Sequence, residues 1–191
     1  MVEYFLLLMG VILLGPLCQA LGIAPQWLFL GMIGLGLPSV YALWDGAPWV
    51  PTDPQTVRRM LELAAIQPGQ RVMDLGCGDG RIVRAAHHQG TMAIGYEISV
   101  IAFLVAWGCG RGQGRIIYGD FWKADVAEAD VIFWYQMPRS EARFFSQIWP
   151  RLKPGCKVIV NTFAFRSIAP DQRCGTISLY IKPANTTKSG L

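Results

Sequence analysis

The stretch Arg71-Val-Met-Asp-Leu-Gly-Cys-Gly-Asp-Gly-Arg-Ile-Val83 decides the fold of this chain. It begins as an apolar run that ends in an acid, Asp74, and a helix-like segment begins at Arg81. A strand, a glycine turn and a helix form the opening unit of a doubly wound α/β domain, whose ligands bind beyond the carboxyl end of the strand. Glycine is needed in the turn because a side chain would hold the backbone away from the ligand, and because some positions require a positive φ. The turn contains three alternate glycines, Gly76, Gly78 and Gly80.

The glycine spacing excludes two common phosphate sites. A P-loop ends in Gly-Lys-Ser/Thr, whereas Gly80 is followed by Arg81 and Ile82. A dinucleotide fingerprint needs its third glycine where Arg81 stands. The pattern D-x-G-x-G-x-G resembles the nucleoside loop of class I methyltransferases, which bind S-adenosylmethionine (SAM). This resemblance implies that SAM is the cofactor and that Asp74 orients the loop and the methionine end.

Strand and helix patterns alternate on both sides of this loop. A helix is predicted to start at Asp53 as N-cap with Pro54 in its first position, and to end at Pro68-Gly69. Alternation of this kind predicts βαβ units and therefore a Rossmann-like, doubly wound, mainly parallel sheet. The later segments are strands at 91–97, 115–118, 130–135 and 157–163, helices at 99–107 and 140–149, and a candidate last strand at 176–181.

The N-terminal segment has the composition of a membrane anchor. No charged residue occurs between Glu3 and Asp45, and residues 22–25 divide this run into two apolar segments, each near the ~20 residues that cross a bilayer. We therefore expect a transmembrane helical hairpin within an anchor of residues 1–46, followed by a catalytic domain of residues 47–191. One span with an interfacial segment is an alternative. A cleaved signal peptide is disfavoured, because its first region should be positively charged.

Charge and cysteine usage restrict the partners. The net charge is +4, and all 17 Lys and Arg residues lie at or after Arg58. A modestly positive domain suits an anionic membrane leaflet, whereas nucleic acid would favour a denser basic patch. The five cysteines include no Cys-x-x-Cys pair, and the adjacent His87 and His88 cannot share one helix face. No metal site is predicted, and a reducing compartment is expected.

Acids follow the second and third strands as Asp74 follows the first. Glu97 comes about 20 residues after Asp74, the spacing at which such folds bind the ribose hydroxyls. The alternative for Glu97 is a surface acid that caps the next helix. In class I methyltransferases an acid at the place of Asp120 binds the adenine amino group, and the backbone N–H of the next residue, here Phe121, faces the ring. The alternative for Asp120 is a turn aspartate.

Aromatic residues follow the third strand and end the fourth, where they could flank the methyl group and hold a cation or a planar base. Plain core packing is the alternative, because strands are rich in aromatic residues. The set comprises Phe121, Trp122, Phe133, Trp134 and Tyr135.

Several blocks resemble a narrower family. They are Trp49-Val-Pro-Thr-Asp-Pro54, Val57-Arg-Arg-Met-Leu-Glu-Leu63, the glycine loop, Asp120-Phe-Trp-Lys123 and Leu152-Lys-Pro-Gly-Cys-Lys-Val-Ile159. Between residues 48 and 163 the chain is similar to the archaeal and mitochondrial membrane-anchored protein lysine methyltransferases, which have a seven-strand sheet. This chain departs from the family pattern in two ways. It has an apparent hairpin in place of one membrane span, and its short tail predicts curtailed sixth and seventh strands.

This resemblance implies an enzyme that methylates lysine side chains of membrane or membrane-associated proteins. Its catalytic domain is expected to face the cytoplasm, where SAM is made, and Thr52, Trp122 and Tyr135 are the candidates for the acceptor pocket. A methyltransferase of a lipid or quinone, and a SAM-binding protein without turnover, remain alternatives.

Overall fold

The computed structural model describes residues 49–184 and isolated positions between residues 9 and 30. The predicted membrane hairpin lies outside the described residues. Within the described part, no helix is both long and apolar enough to span a bilayer.

The first half of the domain alternates helices and strands, as the sequence predicts. The first helix begins where its capping signals stand: the Asp53 carboxylate accepts a hydrogen bond from the Thr56 backbone N–H at 2.9 Å, and Pro54 occupies the first turn. It ends at Ala64, before the predicted Pro68-Gly69, because Ala65 adopts the left-handed conformation. The elements are α1 (Pro54–Ala64), β1 (Arg71–Leu75), α2 (Arg81–His87), β2 (Met92–Glu97), α3 (Val100–Cys109) and β3 (Arg115–Tyr118).

The second half is less regular. The predicted helix at 140–149 is an irregular segment, α4, that is α-helical over Glu141–Arg143, π-helical over Phe144–Ile148 and 3-10 over Trp149–Arg151. It ends near Pro150, which lacks the backbone N–H that a continuing helix needs. The remaining elements are a 3-10 turn (Phe121–Lys123), β4 (Val131–Trp134), β5 (Lys157–Asn161), β6 (Gln172–Cys174) and β7 (Ile177–Ile181).

The strands form one seven-stranded mixed sheet in the order β3-β2-β1-β4-β5-β7-β6. Strands β1 to β5 are parallel, and β7 pairs antiparallel with both β5 and β6. The prediction of a curtailed tail is therefore wrong for β7 and holds only for β6, which has three exposed residues. A short tail suffices because Gly175, at φ +60°, permits a tight turn between β6 and β7.

Side chains of the sheet alternate between two hydrophobic cores. In β4, Phe133 joins the core under α1 and α2, whereas Trp134 joins the core under α4. All five parallel strands end at the same edge of the sheet, which we call the carboxyl edge. The direction of winding reverses between β1 and β4, so a ligand crevice is expected at that point of the edge.

Candidate functional site

The glycine loop is shaped by the protein's own packing. Gly76, Gly78 and Gly80 all have positive φ, at 93°, 56° and 76°. A Cβ on Gly76 would collide with the Gln136 amide, and a Cβ on Gly78 would lie 2.6 Å from the indole of Trp49. Glycine is therefore required at these two positions even before a ligand is considered.

Glu97 connects the loop to the helix that follows β2. Its side chain is buried, with one carboxylate oxygen accepting from the Gly78 N–H at 2.8 Å and the other from the Ser99 N–H at 2.7 Å. Ser99 in turn caps α3 by accepting from the Ala102 N–H. The alternative of a surface acid is excluded, because Glu97 is only 7% exposed.

Asp74 and Asp79 add two more carboxyl groups beside Glu97. Burial, reinforced by the charges of Glu97 and Asp79, raises the pKa of Asp74 to about 8. Burial also works to raise the pKa of Asp79, but hydrogen bonds and charge from Arg81 outweigh it and leave that pKa below its ordinary value. The cluster therefore favours a cationic ligand, which would relieve the repulsion that Asp74 experiences.

The segment before α1 lies across the glycine loop. Trp49 packs on Gly78, and the backbone carbonyl of Thr52 accepts a hydrogen bond from the Arg81 guanidinium, which also pairs with Asp79. Thr52 is buried there. Among the described residues, no hydrogen bond joins it to Trp122 or Tyr135, the other two candidates for the acceptor pocket.

Asp120 reaches the carboxyl edge directly beside Glu97, because the Gly119 N–H donates to the Glu97 backbone carbonyl at 2.9 Å. One Asp120 carboxylate oxygen accepts from the Trp122 N–H at 3.0 Å and so caps the 3-10 turn. The turn role that the sequence left open is thus present. Phe121 is buried, with its ring 5.6 Å from that of Trp134.

Core packing accounts for most of the predicted aromatic set. Phe133 and Trp134 lie on opposite faces of the sheet, and Trp122 is buried with the Arg143 guanidinium 4.3 Å above its ring. Only Tyr135 stays partly exposed at the edge, with its ring 6.4 Å from that of Phe163.

The sequence did not identify Phe163 as a residue beside the predicted pocket. It follows β5 and the strained residue Thr162, whose φ is +65°. Non-glycine residues in this region of φ cluster at functional sites, which offers a structural signal but not one that the sequence displays.

Gln136 is a second residue that sequence reasoning missed. It lies two residues after β4, is buried, and donates from Nε2 to the Leu75 carbonyl at 3.0 Å. A signal existed, because a polar residue that follows a wholly apolar strand is the same feature that identified Asp74, Glu97 and Asp120. Among the residues that the structure describes, no group of His, Cys, Asp and Glu is placed to hold a metal ion.

Comparison with known proteins identifies the family. The family model described as "ANTKMT methyltransferase domain" matches residues 74–172. The chain is 33% identical over 133 residues to a protein-lysine N-methyltransferase of Saccharolobus islandicus (strain REY15A), and the match covers 65% of this chain and 82% of that protein. It is 30% identical over 169 residues to a lysine N-methyltransferase of Mus musculus that is named for the C-subunit of ATP synthase. That match covers 78% of this chain and 67% of the mouse protein.

Solved structures give the same fold. An RNA methyltransferase from Salinibacter ruber in complex with S-adenosylhomocysteine is 32% identical with a TM-score of 0.66, and the match covers 70% of this chain and 94% of that one. A SAM-dependent methyltransferase from Geobacter sulfurreducens, in complex with the same compound, is 21% identical with a TM-score of 0.51 over 58% of this chain and 48% of that one.

The residues at the carboxyl edge fit SAM. The donor carries a sulfonium and an ammonium charge, and the edge presents three clustered carboxyl groups, of which Asp74 has its pKa raised by burial and by the charges of Glu97 and Asp79. Glu97 and Asp120 lie side by side at this edge, the place at which a doubly wound fold binds its ligand. This chain therefore uses S-adenosylmethionine as its cofactor and belongs to the family described as the ANTKMT methyltransferase domain.

Proposed function

We propose that this enzyme methylates lysine side chains of proteins in or at a membrane. The similarity to the protein-lysine N-methyltransferase of Saccharolobus islandicus carries this proposal, because it extends over 82% of that protein. The relative from Mus musculus is named for a lysine of the ATP synthase C-subunit, which supports the choice of acceptor.

We assign the cofactor to the glycine loop from Gly76 to Gly80. Glu97 would bind the ribose hydroxyls, and Asp120 with the backbone N–H of Phe121 would bind adenine. Asp74 would face the cationic methionine end. The adjacency of Glu97 and Asp120, together with the raised pKa of Asp74, supports this arrangement.

When bound, SAM supplies a methyl group attached to a positively charged sulfur. The acceptor nitrogen attacks the methyl carbon in line with the bond to sulfur. The protein's task is alignment and exclusion of water. The lysine must react as a neutral amine, although its ordinary pKa is about 10.4, and a desolvated pocket lowers that pKa.

Tyr135 and Phe163 line the edge on which the acceptor would enter, and Tyr135 remains a candidate for contacting it. Trp122 and Thr52 are weaker candidates for such contact, because Trp122 packs beneath Arg143 and Thr52 packs against Arg81.

The membrane part of the proposal places residues 1–46 in the bilayer as a multi-pass anchor, with the domain on the cytoplasmic side. The charge-free stretch between Glu3 and Asp45 supports it. So do Leu104 and Trp107 on α3, which are 52% and 50% exposed, with the Arg111 guanidinium 4.3 Å from the Trp107 ring. Apolar side chains beside a cation suit an anionic leaflet, and tethering raises the effective concentration of membrane substrates.

Transfer of methyl groups from labelled SAM tests the substrate class. Membranes and soluble fractions from a strain that lacks the gene are incubated with purified full-length enzyme, and protein, lipid and RNA are then separated. We expect label in protein, mapped to lysine by mass spectrometry, and none with Glu97→Ala.

The other outcomes identify the competing functions. Label confined to the lipid extract would favour a lipid or quinone acceptor. Label confined to RNA would favour the activity named for the Salinibacter ruber protein. Binding of SAM without label in any fraction would indicate a protein without turnover.

Protease treatment of sealed cytoplasmic-membrane vesicles tests the membrane part separately. The catalytic domain should be digested only in vesicles whose cytoplasmic face is outward. Recovery of the full chain in the soluble fraction would reject the anchor.

A further inference from the structure

Gln136 lies at the topological switch point of the sheet. Its Nε2 donates to the backbone carbonyl of Leu75, the last residue of β1, and so bridges the ends of β1 and β4. Only the nitrogen of an amide can donate to a carbonyl, so this bond fixes the orientation of the amide. The oxygen, Oε1, must therefore point away from β1.

Gln136 Oε1 is a buried acceptor without a partner. Across the described residues, it and the Ser140 hydroxyl are the two buried side-chain polar atoms that make no hydrogen bond. Both belong to the segment that follows β4, and Gln136 is 6% exposed. Because buried polar groups are nearly always satisfied, the unsatisfied Oε1 of Gln136, at the switch point of the sheet, points to a ligand.

The position of the amide assigns it to the reacting end of the site. It fills the space that Gly76 leaves by having no side chain. The carboxyl groups at the ends of β1, β2 and β3 suit the cationic and nucleoside parts of the cofactor. The β4 side of the crevice is left for the methyl acceptor.

We propose that Gln136 is a catalytic residue whose Oε1 accepts an N–H of the acceptor amine and so directs the nitrogen lone pair at the methyl carbon. This inference rests on the proposed lysine acceptor. The nitrogen lone pair forms the N–C bond while the S–C bond breaks, and the electron pair of the broken bond stays on sulfur. The product is a methylated ammonium, which releases a proton to water.

A neutral amide suits this task better than a carboxylate. A carboxylate at this position would stabilise the lysine ammonium and raise its pKa, which would reduce the fraction of reactive neutral amine. An amide oxygen accepts from the neutral amine without adding a charge.

The contact depends on how many methyl groups the amine already carries. A neutral unmethylated amine has two N–H groups and a monomethyl amine has one, but a dimethyl amine has none. Gln136 therefore assists the first and second transfers and gives no hydrogen bond to the third.

The test compares full-length enzyme with Gln136→Met, which keeps the length of the side chain and removes its polar atoms. Single-turnover rates at saturating SAM are measured on unmethylated, monomethylated and dimethylated protein acceptors. Because Gln136→Met also removes the bond to the Leu75 carbonyl, the readout is the ratio of the rates, and the first and second transfers should slow roughly tenfold more than the third. Gln172→Met, on the exposed edge strand β6, is the matched control and should leave all rates unchanged.

Equal slowing of all three transfers, or no slowing, would overturn the role of Gln136 while leaving lysine methylation intact. Wild-type enzyme that labels no amine would instead overturn the proposed function. Gln136→Glu gives a second readout if Gln136→Met does not fold or if the third transfer is too slow to measure. Its pH–rate profile for the first transfer should shift to higher pH, and an unshifted profile would contradict the proposal.

Discussion

The two halves of the carboxyl edge differ in how their polar groups are satisfied. On the nucleoside side, formed by the ends of β1, β2 and β3, Glu97 and Asp120 accept backbone N–H groups and Asp79 is paired with Arg81. On the proposed acceptor side, formed by the ends of β4 and β5, Gln136 Oε1 has no partner within the described chain.

The nucleoside side is therefore held together by internal hydrogen bonds, whereas the acceptor side keeps a hydrogen-bond acceptor unused. Groups on the nucleoside side hold the loop in place by themselves, so the cofactor meets a preorganised site. On the acceptor side, we propose that Gln136 Oε1 gains its hydrogen bond from the substrate amine. Mutations on the nucleoside side should therefore affect folding and cofactor binding together, whereas loss of Gln136 Oε1 should slow the first two transfers more than the third.

The largest effect is expected for Glu97→Ala. This change removes the proposed ribose contact and also leaves the Gly78 and Ser99 N–H groups without their acceptor. A buried group that loses its partner costs about 1–3 kcal/mol, so SAM affinity should fall by roughly 10- to 100-fold. Titration calorimetry on folded protein measures this, with the exposed Glu128→Ala as control. Unchanged affinity would remove Glu97 from the site.

An effect of similar size, but on stability, is expected for Gly78→Ala. The new Cβ would meet the Trp49 indole, and alanine disfavours the φ of +56° found there. Strain of this kind costs about 1–3 kcal/mol, so the free energy of unfolding should fall by that amount and SAM binding should weaken. Gly108→Ala in α3 meets nothing within 4 Å and should be neutral or slightly stabilising. Chemical denaturation compares the two, and equal stability would mean that Trp49 does not pack on the loop.

The third prediction concerns the pH dependence of stability that Asp74 carries. Its folded-state pKa of about 8 lies above the ordinary value of 3.8, so the folded, cofactor-free protein holds this proton more tightly than the unfolded chain does. Asp74 therefore lowers stability progressively as pH rises from about 4 to about 8, and Asp74→Asn should remove that part of the decline.

The same carboxyl group predicts proton release on cofactor binding. A cationic ligand favours the carboxylate, so binding below a pH of about 8 should release a proton and should tighten as the pH rises towards that value. Calorimetry in buffers of different ionisation enthalpy detects the release. Wild-type protein that releases no more protons than Asp74→Asn would contradict the assignment of Asp74 to the cationic end.

The sequence predicted the positions of the acids at the strand ends well because its signals are local. Asp74, Glu97 and Asp120 each belong to a recognisable strand or the turn after it, and parallel strands bring their ends together. The acceptor side depends on which sheet face each residue meets, which local patterns do not reveal. Phe133 and Trp134 therefore appeared equivalent, although they enter different cores.

Non-local contacts account for the other errors. Strand β7 fits a short tail because it pairs with both β5 and β6, and α4 becomes irregular where its rings pack against those of Phe165. Gln136 was predictable in principle by the rule that identified the acids. Its function depends on the bond to Leu75, 61 residues away, which the sequence does not display.

A crystal structure of the enzyme with S-adenosylhomocysteine tests the central claim most directly, because the claim is about which half of the edge binds each part of the reaction. We predict ribose hydroxyls within hydrogen-bonding distance of Glu97, adenine beside Asp120 and Phe121, and the sulfur facing the β4 side near Gln136. Ribose away from Glu97, or a nucleoside in the groove between α1 and α2 that Arg58 and His88 line, would contradict it.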